Sequence, residues 1–352
     1  MTAALPQIEQ TEAVLDARPS RIPGLAALRA TSGFQRGMLA AGVLIVAVFV
    51  VVALFAPLIA PYGFNQGASH GVDFQTLQAP SADHWFGTTV RGEDVYSRVV
   101  FGARTALEVI ILAVLLSIVI GVPLGLVSGY RGGWLDRVLV LVSDALFAFP
   151  SLLLAIVISI SVAGGQSSKT GGILAAAVAI TVVYVPQYFR VVRNATIAAR
   201  EEPYVEAARA LGASPRVVVT RYILANVVQT VPVIGTLNAG DALLTLAGLG
   251  FLGFGIEPSS AAEWGFDLNK ALSDTAAGIW WTGTFPGVAI ALLVLGVTLV
   301  GESLNDVLNP LLRTTKLRQV ILPARDGTGD GADAGHPAAG PTVGGGLGES
   351  RS

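Results

Sequence analysis

The sequence has no cysteine among its 352 residues, and only 13% of its residues are charged. The missing cysteine excludes a disulfide framework and a thiolate metal site. Few charges combined with 53% hydrophobic residues exclude an ordinary soluble domain, in which about a quarter of the residues are charged. The net charge is −2, and no basic patch interleaved with aromatic residues indicates binding to nucleic acid.

Motifs of an enzyme are also missing. We find neither a nucleophile with a partner base nor a cluster of metal ligands. GGQSSKT, around Lys169, is the nearest approach to a phosphate loop, but it has no glycine directly before the lysine and follows no predicted strand. His70 and His84 are isolated in the sequence. We therefore expect no catalysis, no metal and no cofactor in this chain.

Long apolar runs, by contrast, are frequent. Several reach the roughly 20 residues that cross about 30 Å of hydrocarbon as a helix. The alternating pattern of a membrane barrel is absent, and lipid does not tolerate unpaired backbone groups, so the spans are expected to be helices. The sequence predicts an all-α polytopic membrane protein with about six transmembrane helices, at residues 38–60, 105–129, 136–162, 171–194, 222–254 and 283–308.

The distribution of arginine and lysine predicts the orientation of these spans. Basic residues concentrate in the leader 1–37, around 190–221 and after the last span. This places both termini in the cytoplasm, with a transmembrane domain over 38–313. The tail 314–352 is largely glycine-rich and poor in apolar residues, so it cannot offset its ordering entropy and we expect it to be mostly disordered.

One short polar segment, EEPYVEAARALGASPRVVVTRYILAN (residues 201–226), separates two of the apolar spans. Pro203 suits the first turn of a helix, where a missing N–H has no cost. Gly212 fits a left-handed helix stop, and Ser214 supplies the cap of the next helix. The pattern predicts a helix over 203–211 that is about 14 Å long, too short to cross a membrane and therefore on its cytoplasmic face.

This helix carries an apolar stripe. Tyr204, Ala207, Ala208 and Leu211 are spaced as i, i+3, i+4 and i+7. Glu206 lies beside the two alanines, which offer a flat surface that ends at a glycine turn. A solvated loop helix is the plainer interpretation. We favour a surface that docks into a groove of another protein, because the other predicted cytoplasmic connections are short.

The EAA at 206–208, separated by three residues from Gly212, resembles the cytoplasmic loop of permease subunits of binding-protein-dependent ABC importers. The surrounding sequence resembles the second permease subunit of the dipeptide, oligopeptide and nickel importers. The resemblance extends over about residues 33–313 and includes HWFGTTVRGEDVYSRVVFGARTAL, GYRGGWLDRVL, DALFAFPSLLLAI, FLGFGIEP, AEWG, FPG and ESLNDVLNPLLR.

The resemblance implies the type I ABC importer permease fold, in the cell membrane and in contact with lipid. ATP and Mg would be bound by one or two separate cytoplasmic subunits, and a homologous permease subunit would supply the other half of the pathway. An extracytoplasmic binding protein would deliver the substrate. Glu206 would be the polar contact with the ATPase, Ala207 and Ala208 its close-packed floor, and Gly212 the turn.

Two further sites are expected from the residues. Asp241 lies within the fifth predicted span next to Asn238, and an ionisable group at membrane depth marks a pathway or a hydrogen bond between packed helices. Glu263 and Trp264 lie in a predicted external loop and suit contact with the binding protein; an interfacial anchor is the alternative for the tryptophan. Gly121 begins a series of glycines spaced four residues apart, and we expect these glycines to let two helices pack closely.

Di- or oligopeptides are the expected substrate class, with nickel chelates, glutathione and oligosaccharides as alternatives within the same family. Two other classes of protein were weighed. A secondary transporter would show internal repeats with paired broken helices, which we do not find in the sequence. A membrane scaffold would leave both the capped loop helix and Asp241 without a role.

Overall fold

The structure, a computed structural model, describes residues 33–308 except His70 and residues 164–168. The predictions for residues 1–32 of the leader and for the tail lie outside the described residues. Twelve α-helices, one π-helix and one small hairpin are described. In chain order they are α1 (Gly33–Leu54), α2 (Ala56–Ile59), β1 (Ala68–Ser69), β2 (Val72–Asp73), α3 (Val95–Arg131), α4 (Gly133–Phe147), α5 (Ser151–Ala163), α6 (Lys169–Arg200), α7 (Pro203–Ala210), α8 (Pro215–Val217), the π-helix (Val218–Ile223), α9 (Leu224–Val227), α10 (Val231–Phe251), α11 (Trp264–Ala276) and α12 (Trp281–Leu308).

The prediction of an all-α membrane protein is confirmed. Within the described residues, α1, α3, α6, α10 and α12 are long and apolar enough to cross a membrane. The predicted span 136–162 is not one straight helix, because α4 and α5 meet at an angle of 99°. Pro150 explains the break, since proline lacks the N–H of a helical hydrogen bond and clashes with the preceding turn.

The pair α3 and α6 forms the centre of the structure. Gly121, Gly125 and Gly129 lie on one face of α3, against α6. A Cβ at Gly125 would lie 2.8 Å from both the Phe189 carbonyl oxygen and the Val192 Cβ. The glycine repeat therefore lets two backbones approach closely, as expected for small residues at four-residue spacing in lipid.

The other long helices pack around this pair. Helix α1 lies against α12, and α10 contacts α12, α11 and α3. A buried apolar core joins α3, α6, α10 and α12 through residues that include Val109, Ala177, Leu246 and Leu293.

The first part of the predicted span 222–254 is not a continuous α-helix. The π-helix, α9 and a turn at 228–230 precede α10, which has Pro232 in its first turn. The structure also contains α11 and the β1–β2 hairpin, where the sequence predicted external loops.

Helix α3 has 37 residues and joins the two ends of the described unit. Near its N-terminus, Arg98 contacts Asp267 of α11, and near its C-terminus, Tyr130 contacts Arg209 of α7. We call these the α11 end and the α7 end.

Candidate coupling surface and membrane pathway

Helix α7 is fixed by signals in its own sequence. It begins at Pro203, with Glu202 as the N-cap residue in an extended conformation. It ends where Gly212 adopts φ +83°, and the Ala213 N–H donates to the Ala208 carbonyl at 3.0 Å. Ser214 then caps α8 through the Val217 N–H. The predicted helix, its glycine stop and the following cap are all present in the structure.

The buried face of α7 differs from the predicted stripe. Val205 and Ala208 are buried, and Val205 packs with Val218 and Ile223 of the π-helix in an apolar cluster. Ala208 therefore cannot serve as part of an exposed docking floor. With two buried positions three residues apart, this short helix packs on its own chain along a face that the i, i+3, i+4, i+7 pattern did not identify.

The remaining predicted residues of α7 are exposed. Leu211 has 89% of its surface exposed and Tyr204 has 41%, and Glu206 and Ala207 are exposed as well. An apolar side chain as exposed as Leu211, at the end of a short helix, leaves apolar surface available to another molecule.

Three contacts connect the α7 region to the membrane helices. The Asn226 amide donates to the Tyr204 hydroxyl at 3.2 Å. The Arg209 guanidinium lies 5.4 Å from the centre of the Tyr130 ring. The Arg200 guanidinium donates to the carbonyls of Tyr130 and Gly129 at 3.3 and 3.4 Å. These contacts link the α7 region to α9 and to the end of α3.

The π-helix follows this region directly. It spans Val218–Ile223, at the junction where the chain turns from the α7 end into the membrane. Short π-helical segments are rare and occur often at functional sites. Ala225 lies within α9, and the break before α10 comes from the turn at 228–230.

The two predicted pathway residues have different environments. Asp241 is exposed and lines an open cavity with Tyr184, Gln187 and Thr245. Asn238 is buried, and its amide makes no hydrogen bond within the described part of the chain. It does not line that cavity. The structure thus separates two residues that the sequence had placed together.

The prediction for Glu263 and Trp264 has to be corrected. Glu263 is buried and caps α11, because its carboxylate accepts the N–H groups of Gly265 and Phe266 at 2.9 and 2.8 Å. Trp264 is 2% exposed, and its indole N–H donates to the Val99 carbonyl at 3.1 Å. Glu263 therefore stabilises the start of α11 and Trp264 stabilises its packing on α3, so neither offers surface to a binding protein.

Sequence reasoning missed a buried ionic cluster at the α11 end. The Arg98 guanidinium donates to one carboxylate oxygen of Asp267 at 2.6 and 3.0 Å, and to the Phe64 carbonyl at 3.0 Å. Glu93 lies 3.3 Å from the same guanidinium. The only available signal was an arginine in the first turn of a long apolar helix, which does not indicate a partner 169 residues away.

His84 also has a partner that the sequence did not indicate. Its Nδ1 lies 2.9 Å from a carboxylate oxygen of Asp94, whose other oxygen accepts the N–H and hydroxyl of Ser97 at 2.8 and 2.7 Å. Both members of the pair are buried. The cluster holds the loop of residues 84–94 on the start of α3, and it is a structural contact.

Burial dominates the electrostatics of α11. It raises the pKa of Glu263 to about 8, from 4.5, although the two backbone N–H donors favour the ionised form. Burial also raises the pKa of Asp267, against the attraction of Arg98. Within the described residues, no three His, Asp or Glu side chains converge as metal ligands.

Comparison with known proteins gives consistent results. Residues 121–314 match the family of inner membrane components of binding-protein-dependent transport systems. A dipeptide transport system permease protein of Alkalihalophilus pseudofirmus is 38% identical over 276 residues, which is 78% of this chain and 86% of that protein. A glutathione transport system permease protein of Pectobacterium atrosepticum is 36% identical over 281 residues, covering 80% and 89%. A protein with the same description from Escherichia coli is 37% identical, covering 77% and 85%.

Proposed function

Because this chain belongs to the family of inner membrane components of binding-protein-dependent transport systems, we propose that it forms half of the pathway of an ATP-driven importer of di- or oligopeptides. The exposed face of α7 is the observation that carries the coupling part of this proposal. A short helix outside the membrane spans exposes Leu211, Ala207 and Glu206, which suits contact with a separate ATP-binding subunit.

Coupling follows from how α7 is attached. Its buried residue Val205 packs on the π-helix, and Arg209 contacts Tyr130 at the end of α3. When ATP binding moves the partner subunits as rigid bodies, α7 moves with them and transmits the displacement to α3 and α6. Glu206 supplies the polar contact in this proposal, and ATP and Mg stay in the partner subunits.

The pathway requires a second subunit. Asp241 is exposed at membrane depth, and a charged side chain there faces water or protein because lipid contact is costly. We propose that a homologous permease subunit covers this face and completes the pathway. The α7 end and both termini would then lie in the cytoplasm, with lipid around the remaining apolar helices.

At the opposite side, an extracytoplasmic binding protein would deliver the substrate to the α11 end. Since Glu263 and Trp264 are buried, the contact would use exposed residues of α11 instead, including Leu272. The substrate proposal rests on the relatives, which are described as dipeptide and glutathione permeases. Glutathione is itself a small peptide and is therefore the second candidate.

A matched pair of leucine variants tests the coupling proposal. Leu211→Asp places a charge on the exposed apolar surface of α7, and Leu272→Asp does the same at the α11 end, where 59% of the leucine is exposed. We expect the amount of ATP-binding subunit that copurifies with affinity-tagged Leu211→Asp to be lower than with wild type by a factor of about ten or more. This corresponds to a loss of about 1.4 kcal/mol or more in binding free energy. Leu272→Asp should retain the wild-type amount.

Peptide uptake into proteoliposomes that contain ATP supplies the second measurement, and Leu211→Asp should lower it in parallel. Equal retention of ATP-binding subunits by both variants would contradict a docking role for α7. Wild-type complexes that hold no ATP-binding subunit, or that take up no peptide when ATP and binding protein are supplied, would overturn the importer assignment.

A further inference from the structure

The break between α4 and α5 opens a cavity beside the middle of two membrane helices. Its volume is about 320 Å³, and it is lined by Leu146, Phe147, Phe149, Ser151, Leu154, Val183, Tyr184, Gln187, Asp241, Leu244 and Thr245. Asp241 has ten residues of α10 on either side, which places it about 15 Å from both ends of that helix. The cavity therefore lies at the depth of the bilayer centre.

Among the described residues that line this cavity, Asp241 is the one charged residue. Within the described part of the chain, its carboxylate has neither a hydrogen-bond donor nor a basic partner. A carboxylate at this depth is costly unless a polar or cationic group meets it. The cavity therefore contains a negative charge, and the described part of this chain supplies no counter-charge for it.

One basic side chain beside the cavity, that of Arg190, already has a carboxylate partner. Arg190 lies one turn beyond Gln187 on α6, and its guanidinium contacts the Asp144 carboxylate at 2.9 Å. The same guanidinium lies 4.4 Å from the centre of the Phe147 ring. Arg190 and Asp144 together add no net charge beside the cavity, so this pair does not offset the charge of Asp241.

The walls suit a small cation. The Tyr184 and Thr245 hydroxyls are 3.2 Å apart, and the Thr245 hydroxyl donates to the Asp241 carbonyl at 2.9 Å. Hydroxyl and amide oxygens accept hydrogen bonds from an ammonium group. Phe147 and Phe149 add aromatic rings, whose faces attract cations. None of the described lining residues is a lysine or arginine that would bind a carboxylate.

We propose that this cavity binds the free primary ammonium group of the transported peptide, with Asp241 as its counter-charge and the Tyr184 and Thr245 hydroxyls as neighbouring acceptors. The transport part of this inference rests on the proposed function. The site would select for the amino end of the substrate, and it would hold that end beside the α4–α5 break while the two permease subunits change conformation.

Cysteine labelling tests the site without relying on transport. The chain has no native cysteine, so Gln187→Cys introduces a single thiol into the cavity lining. The purified complex is treated with cationic trimethylammonioethyl methanethiosulfonate or anionic sulfonatoethyl methanethiosulfonate. Each rate is divided by the rate with free mercaptoethanol, and labelling is measured on this chain by mass spectrometry.

We expect the corrected rate to be at least about tenfold higher for the cationic reagent, because a cleft of one sign concentrates counter-ions by that factor or more. Adding Asp241→Asn should bring the ratio close to one. Adding Glu257→Gln instead should leave the cation preference in place, because that exposed carboxylate does not line the cavity. Equal rates with Asp241 intact, or a preference that survives Asp241→Asn, would overturn the proposed site.

Uptake then tests the ligand. Asp241→Asn should lower ATP-driven uptake of a peptide with a free amino terminus at least about tenfold, and Asp241→Glu should restore most of it. Unchanged uptake by Asp241→Asn would reject the ammonium assignment. If wild-type complexes take up no peptide, the proposed function fails, while the labelling ratio still decides whether the cavity is a cation site.

Discussion

The two ends of the described unit are built in opposite ways. At the α11 end, charged side chains such as Arg98 and Asp267 are buried and satisfied mainly by partners from the same chain. At the α7 end, Leu211 and Glu206 are exposed, and α7 is attached through a small apolar contact and a few polar ones. At the α11 end the charged groups interact with one another, whereas the α7 end has exposed surface that a different molecule can contact.

This contrast indicates a division of mechanical roles. An end held by buried ion pairs opens only at high cost, whereas a short helix with a two-residue buried face can move as a unit. The comparison predicts that substitutions at the α11 end act mainly on stability, and that substitutions at the α7 end act mainly on coupling. The following variants test this contrast, from the largest expected effect on stability to the smallest.

Removing Arg98 should have the largest effect. Arg98→Met keeps most of the side-chain volume but leaves the buried carboxylates of Asp267 and Glu93 without their cation. Breaking a buried pair in this way costs about 3–5 kcal/mol. Thermal unfolding of the purified protein in detergent should show a correspondingly large loss of stability.

Arg104→Met is the matched control, on the same helix. Arg104 pairs with Glu108 at 3.0 Å, but both side chains are more than a third exposed. Exposed pairs contribute about 0–1 kcal/mol, so this variant should unfold close to wild type. Similar losses in the two variants would show that burial does not set the strength of the α11 end.

These cases also show what the sequence could and could not predict. The bounds of α7 were predictable because Pro203, Gly212 and Ser214 act within a few residues of their own positions. The glycine repeat beginning at Gly121 was predictable for the same reason, since its spacing alone places it on one face of a helix. The Arg98–Asp267 pair joins residues 169 positions apart, and no periodicity records such a contact.

Which side of a helix is buried was harder to predict than whether the helix is present. The pattern around α7 placed Ala208 on the docking face, but Ala208 is buried, and the buried Val205 packs on the adjoining π-helix. Trp264 follows a polar loop and therefore suggested exposure, yet Gly102 leaves a space on α3 that its indole ring fills. In both cases tertiary packing decided which side of a short helix is buried.

A pH titration should give the next largest effect. Burial raises the pKa of Glu263 to about 8 in the folded state, from 4.5, so the folded protein binds more protons than the unfolded chain between these values. Stability from this group is fully present below about pH 4.5 and is lost as the pH rises through 8. The slope is at most about 1.4 kcal/mol per pH unit.

Glu263→Gln should flatten this dependence, because the amide does not ionise. Glu257→Gln changes an exposed residue shortly before α11 and should leave the wild-type dependence intact. Unfolding in denaturant at several pH values between 5 and 8 measures both variants. If the stability of wild type and of Glu263→Gln changed equally with pH, Glu263 would not be a buried neutral carboxyl in the folded protein.

The smallest effect on stability is expected at Ala207. Its side chain is exposed, so Ala207→Trp adds bulk outside the packed core, and exposed substitutions of this kind change stability by at most about 0.5 kcal/mol. The same bulk would separate α7 from the groove of an ATP-binding subunit. We therefore expect near-normal unfolding together with a large loss of ATP-driven uptake and continued ATP hydrolysis.

Ala198→Trp provides the control, since Ala198 is exposed on α6 at the same end but outside α7. It should retain most of the uptake. Equal losses in both variants would mean that bulk anywhere near this end disturbs the complex, and unchanged uptake by Ala207→Trp would remove the exposed face of α7 from the coupling path. A loss confined to Ala207→Trp, at unchanged stability, would locate the force-receiving surface on a helix whose own packing contributes little to holding the protein together.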